Sequence, residues 1–384
     1  MSTITLDRVP RIVQGAGALD TLGANLAATL PKGAAVLVVA DPGLKATGMI
    51  DTTLASLRAA GLGAILFDDV KSDPSMAQVD SACAVARREK AAAVVSLGGG
   101  SAMDAGKTVA AISGASAGAA HYGLCANPFP PQRLVNVCVP TTSGTGAEAT
   151  RTAVLGNAEG AKIWLWGDEM KPDLIVHDPV LTTGLPPHLT AATGIDVLVH
   201  AIEASTNRNA NASNDLYCHE AIRLTVKHLP RAVAAPGDIT ARAGMQWAAT
   251  LAGIGIDNCG TAIAHNIGHA LASLRPVHHG RAVGLGMLAT LSWNIEGDDG
   301  RYAAVAEAMG AGRSAAALPA AFERLLRQVE LKVALSGEGY DGIAAETLAA
   351  QMAKPENEAM RKSNRRDVGE RDLARFAETV LSQS

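Results

Sequence analysis

The stretch AAAVVSLGGGSAMDAGKTVAAI, residues 91–112, decides the fold. Its first half is a short run of small and β-branched residues that reads as a strand. The run ends in three glycines, and AMDAGKTVAAI then reads as a helix. A strand that turns through glycine into a helix is the repeating unit of a sheet covered by helices. Such a turn lets an anion approach backbone N–H groups at a helix N-terminus, where the helix dipole favours negative charge. Gly98, Gly99, Gly100, Ser101 and Asp104 are therefore candidate cofactor contacts. The plainer reading is a tight strand-to-helix turn. The Gly-x-x-x-x-Gly-Lys-Ser/Thr spacing of a P-loop is absent.

The same grammar recurs on both sides. AAVLVVAD (34–41) and AILFDDV (64–70) read as strands, and MIDTTLASLRAAG and MAQVDSACAVARREK (76–90) as helices. LVNVCVPTTSGTGAE (134–148) is another strand, opening into a turn rich in hydroxyls. Thr141, Thr142, Ser143 and Thr145 at its mouth suit a pyrophosphate or ribose, or else simply cap a helix start. GTGAEA (144–149) fits Gly-x-Gly-x-x-Ala, but it does not follow the first strand and has no ribose-binding acid about twenty residues on. Past LPPH (185–188) the strand runs stop and long helical stretches follow. The expected architecture is a mostly parallel α/β domain over 1–185 and an all-helical domain over 186–384.

The 384 residues carry 33 Lys and Arg against 37 Asp and Glu, a net charge of −4 that draws in neither nucleic acid nor an anionic membrane. The five cysteines are widely spaced and form no Cys-x-x-Cys pair. Reduced thiols in the cytoplasm fit that pattern better than disulfides. MSTITLDRVPRIVQG lacks the apolar run of a signal peptide, and no stretch reads as a membrane span.

Four of the ten histidines fall within residues 259–280. ATGIDVLVHAIEA sets Asp196 and His200 four apart, on one face of a helix. AHNIGHALASLRPVHHG sets His265 and His269 four apart, with His278 and His279 beyond a proline. One carboxylate with two or three imidazoles suits a borderline divalent cation such as Zn²⁺ or Fe²⁺. Any single histidine is more often an ordinary polar contact, and spacing does not choose among residues 265, 269, 278 and 279. His121, His177, His188, His219 and His228 lack such company and read as surface or capping residues. No Gly-x-Ser-x-Gly or His-Glu-x-x-His motif supports a serine hydrolase or a zincin.

Taken together, GGGSAMDAGK, PTTSGTGAEATR, DPVLTTGLPPHLTAATGIDVLVHAIEA and AHNIGHALASLRPVHHG resemble the iron-containing, group III alcohol dehydrogenase family. The resemblance implies the two-domain fold and interconversion of an alcohol with its aldehyde or ketone by hydride transfer with NAD. It implies a divalent metal, Fe²⁺ first and Zn²⁺ second, on Asp196, His200, His265 and His279, with His278 as a spare. It further places His269 as a catalytic, non-ligand histidine, Asp41 on the adenine ribose and Lys162 against the cofactor. The expected partner is a small alcohol or aldehyde, with a homodimer or higher homo-oligomer as the assembly. Departures from the family pattern are Ala147 for a common Ser, Arg365 for a frequent Pro, and GRAVGLGM after His279. Rival readings are a zinc glycerol-dehydrogenase-like enzyme, a lyase like dehydroquinate synthase, and a non-catalytic metal or nucleotide sensor. Arg151 with Arg361, Lys362, Arg365 and Arg366 would favour an anionic aldehyde if they faced the substrate, and would otherwise be solvated.

Overall fold

In the computed structural model, which describes residues 4–383, the chain opens as strand–helix alternation. The order is β1 (Arg11–Gln14), α1 (Leu22–Ala27), β2 (Ala35–Ala40), α2 (Met49–Ala59), β3 (Gly63–Phe67), α3 (Met76–Arg88), β4 (Ala93–Gly98), α4 (Gly100–Ile112) and β5 (Val135–Pro140). Then come β6 (Thr152–Gly156), β7 (Lys162–Trp166) and β8 (Leu174–His177). Six strands form one sheet in the order β1-β8-β5-β4-β2-β3, with every pairing parallel. β6 and β7 form a separate antiparallel pair.

Alternation within β2 shows why it reads as an unbroken apolar run. Val36 and Val38 bury against Leu54 and Leu57 of α2 and Leu22 and Leu26 of α1. Leu37 and Val39 bury with Val79 and Ala82 of α3 and Val109 of α4. Both faces of the strand are covered, so both sets of side chains are apolar. The chain leaves β2 for the edge strand β3, then crosses back to β4 on the other side of β2. That reversal makes the carboxyl ends of β2 and β4 the switch point, where open parallel sheets bind ligands.

The remainder is helical: α5 (Pro187–Thr206), α6 (Ala212–Ala234), α7 (Ile239–Cys259), α8 (Ile263–Leu274), α9 (His279–Asn294), α10 (Arg301–Ala308), α11 (Leu318–Gln328), α12 (Ala345–Met352), α13 (Pro355–Ser363) and α14 (Glu370–Leu381). The central helix is α5, buried continuously from Ile195 to Thr206. Ile195, Leu198 and Ile202 pack into a core shared with Ile222 and Leu229 of α6 and Ala248 and Ala252 of α7. Contacts divide the chain into two compact units, one of Arg8–Thr142 with Ala147–Thr183 and one running from Gly184 onward. The short segment Ser143–Gly146 belongs to the helical unit, although it follows a strand of the other.

Two of the histidines read as surface residues are buried. His177 ends β8 with no exposed surface, and burial alone pushes its ring down to about 4. His228 of α6 is also buried, packed against Gly244 of α7. Among the described residues, no helix is long and apolar enough to cross a membrane.

Candidate functional site

Helix α5 carries Asp196 and His200 one turn apart, α8 carries His265 in its first turn, and α9 begins at His279. One donor atom from each of these four side chains lies within 4.8 Å of all the others. His200 Nδ1, His265 Nε2 and His279 Nε2 each stand 3.7 Å from the same oxygen, Asp196 Oδ1. The rings of His200 and His265 stack with centroids 4.4 Å apart.

That spacing is too long for hydrogen bonding. Asp196 Oδ1, His200 Nδ1 and His265 Nε2 are buried polar atoms with no hydrogen-bond partner. Each such orphan costs about 1–3 kcal/mol, and three of them facing one another is an arrangement a fold does not keep without return. A cation held tetrahedrally at metal–nitrogen and metal–oxygen distances leaves neighbouring ligands about 3.4 Å apart, close to what is seen. The residues fit a divalent metal.

Electrostatics point the same way. Burial raises the Asp196 carboxyl, but the imidazoles of His200, His279 and His265 outweigh it and hold the group well below the usual carboxylate range. Burial pushes His200 down to about 4, so its ring is neutral and able to coordinate at neutral pH. Burial also lowers His265, yet the carboxylates of Glu203 and Asp196 prevail and lift it to about 9. The potential here favours positive charge.

In the α/β unit, the candidate cofactor residues gather at the carboxyl ends of three neighbouring strands. Asp41 follows β2, Gly98–Ser101 bridge β4 and α4, and Thr141 and Thr142 follow β5. Gly98 has φ +150°, and a Cβ on it would lie 2.7 Å from Ala102 Cβ and 3.7 Å from Asp41 Cβ. The absent side chain leaves backbone open beside Asp41, at the start of a thirteen-residue helix. A dinucleotide's ribose and pyrophosphate fit that chemistry. Asp41 Oδ1 also accepts the Gly43 amide at 2.8 Å, capping the turn that follows.

Two family models match the chain: iron-containing alcohol dehydrogenase over residues 10–179, and the C-terminal part of the Fe-containing alcohol dehydrogenase family over 190–378. The chain belongs to the iron-containing alcohol dehydrogenase family. It is 36% identical over 284 residues to 1,3-propanediol dehydrogenase of Klebsiella pneumoniae, covering 72% of each chain. It is 30% identical over 377 residues to NAD-dependent methanol dehydrogenase of Bacillus methanolicus, covering 97% of this chain and 98% of that one. The structure of sulfoacetaldehyde reductase from Bifidobacterium kashiwanohense in complex with NAD⁺ superposes with a TM-score of 0.91 at 25% identity, covering 100% of both chains. An iron-containing alcohol dehydrogenase is an oxidoreductase that interconverts alcohols with their carbonyl partners, and this chain is one.

For an iron-containing alcohol dehydrogenase, the surroundings of the four side chains matter as much as the four. His269, one turn after His265, stands edge-on to His279 with ring centroids 5.4 Å apart and is half-buried. His278 is exposed at the residue before α9. Two supports escaped the sequence reading. Glu203, one turn beyond His200, takes the His265 ring at 2.6 Å. The Gly144 backbone lies beside the His200 ring. The spacing 196, 200, 203 on one helix face was the available signal for Glu203. Nothing in the sequence announced Gly144.

Other candidates are engaged within the fold. Asp104 turns inward: Oδ1 pairs with the fully buried Lys107 at 3.2 Å, and Oδ2 accepts the Val154 amide at 3.0 Å. Lys162 pairs with Asp73 at 2.8 Å, and the Asp73 amide donates to Ser101 Oγ at 3.3 Å. Thr145 lies in the Ser143–Gly146 segment that joins the helical unit. The arginines invoked for an anionic substrate are paired. Arg151 meets Asp168 and the Trp166 ring, Arg365 meets Asp299, Arg366 covers the Trp293 ring, and Arg361 and Lys362 flank Glu358.

Proposed function

We propose that the chain is a metal-dependent, NAD-linked dehydrogenase of small primary alcohols or diols, working in the cytoplasm as a homodimer or higher homo-oligomer. The observation that carries the metal reading is the set of buried donor atoms on Asp196, His200 and His265 that face one another without hydrogen bonds, with a His279 nitrogen close beside them. Fe²⁺ is the first candidate and Zn²⁺ the second, because both accept a carboxylate with three imidazoles. The propanediol and methanol named for the relatives support a small substrate. Cysteines that are all free support a reducing compartment. Residues 1–185 are the proposed dinucleotide-binding half and 186–384 the metal-binding half.

When bound, a divalent cation on Asp196, His200, His265 and His279 would supply Lewis acidity, and NAD would supply a hydride acceptor. The chain's own groups do the rest. Asp196 offsets cationic charge while the neutral His200 ring offers a lone pair. Asp41 accepts ribose hydroxyls, and the opening amides of α4 receive the pyrophosphate. Half-buried His269 carries the released alcohol proton toward water.

The test is a set of three alanine variants, each assayed for bound metal and for turnover. His265→Ala and His279→Ala should each lose tight metal binding and activity, whereas His278→Ala keeps both. Metal lost from the His278 variant and retained by the His279 variant would overturn the ligand assignment.

A further inference from the structure

Helix α8 opens without a cap of its own. Its N-cap position is Ala262, whose methyl can accept nothing from the first amides of the helix. The acceptor comes instead from α5. Glu203, 3% exposed, takes the Ala262 amide on Oε2 at 2.8 Å and the Ala264 amide on Oε1 at 2.6 Å. The same Oε2 takes the His265 Nδ1 proton at 2.6 Å. With Nδ1 committed, the other nitrogen, Nε2, is left facing Asp196.

We propose that Glu203 is a positioning residue for the metal centre: it ties the His265 ring and the start of α8 to one carboxylate, and so holds Nε2 toward Asp196, His200 and His279. The proposal rests on the metal reading of those four residues. α5 already carries Asp196 and His200, and Glu203 lies one turn farther along it, so a single helix supplies two donors and the support that orients a third. Outer carboxylates that grip a ligating imidazole fix its tautomer and ring plane, and their loss costs about 10–100-fold in metal affinity. The Glu203 arrangement adds a link to the backbone, because rotating the ring would also disturb the amides of Ala262 and Ala264.

Capping and positioning are separated by a double-mutant cycle read with Co²⁺, whose affinity is measured by chelator competition where binding is tight and by direct titration where it is weak, and whose ligand field is read from visible absorption. Glu203→Gln should weaken Co²⁺ about 10–100-fold and alter the absorption bands in the otherwise native protein. In a His265→Ala background, where no ring remains to orient, the same substitution should change affinity by less than about threefold. Equal weakening in both backgrounds would reduce Glu203 to a cap and overturn the proposal, as would an unchanged affinity in the native background. Failure of the native protein to bind Co²⁺ at all would instead overturn the metal reading. Should Glu203→Gln not fold, histidine ¹⁵N spectra of the zinc-loaded native protein decide the matter. His265 should hold a solvent-protected, far-downfield Nδ1 proton, and a freely exchanging one would contradict the role.

Discussion

His278 and His279 are neighbours of the same type, and only the start of α9 tells them apart. His278 is exposed before the helix, while His279 opens it and turns Nε2 to 3.7 Å from Asp196 Oδ1. Spacing alone left residues 265, 269, 278 and 279 open, because a loop with Pro276 separates the two helices and its path is not written in periodicity. Asp41 was legible as the acid ending a strand. Its second task, capping Gly43, was not, and it shapes the experiment. A carboxylate beside open backbone at the β2 end accepts ribose hydroxyls and repels a 2′-phosphate, so NAD should be preferred over NADP. Asp41→Ser keeps a short acceptor for the Gly43 amide while removing the charge. The ratio of kcat/KM for NADP to that for NAD should rise about tenfold or more in that variant. A native enzyme that prefers NADP, or a serine variant with an unchanged ratio, would remove Asp41 from the ribose.

At the scale of elements, the strands buried on both faces were plain in the sequence, whereas β1, β8 and the β6–β7 pair were not. β1 and β8 are four residues each, and the β6–β7 pair lies outside the main sheet, so none offers a long apolar run. The turn PTTSGTG has a placement that its hydroxyls did not announce. They suggested a phosphate cradle, and the Ser143–Gly146 part of the turn packs with the helical unit. A Cβ on Gly253 of α7 would lie 2.5 Å from Gly146 O and 2.9 Å from Gly146 Cα, and Gly146 itself has φ +63°. Backbone meets backbone there, close to the Gly144 backbone beside His200. Gly253→Ala should therefore cost about 2 kcal/mol or more, because no side chain can swing away to admit the methyl. Urea unfolding of the metal-free protein measures it. A midpoint equal to that of the native chain would show that the close approach is not needed.

For the whole molecule, strand–helix alternation followed by helices was enough to give the architecture, since layered packing leaves few ways to bury such segments. The substrate was not legible, and the charged residues that suggested an anion are engaged in ion pairs. The central claim is hydride transfer from an alcohol carbon to NAD, dependent on the Asp196, His200, His265 and His279 centre. Its most direct test is isotope tracing with [1,1-²H₂]-propanol, on chelator-stripped protein and on the same protein reloaded anaerobically with Fe²⁺. The reloaded enzyme alone should give NADH carrying deuterium at C4 of the nicotinamide, together with monodeuterated propanal. Unlabelled NADH, or labelled NADH formed equally well by the stripped protein, would contradict it.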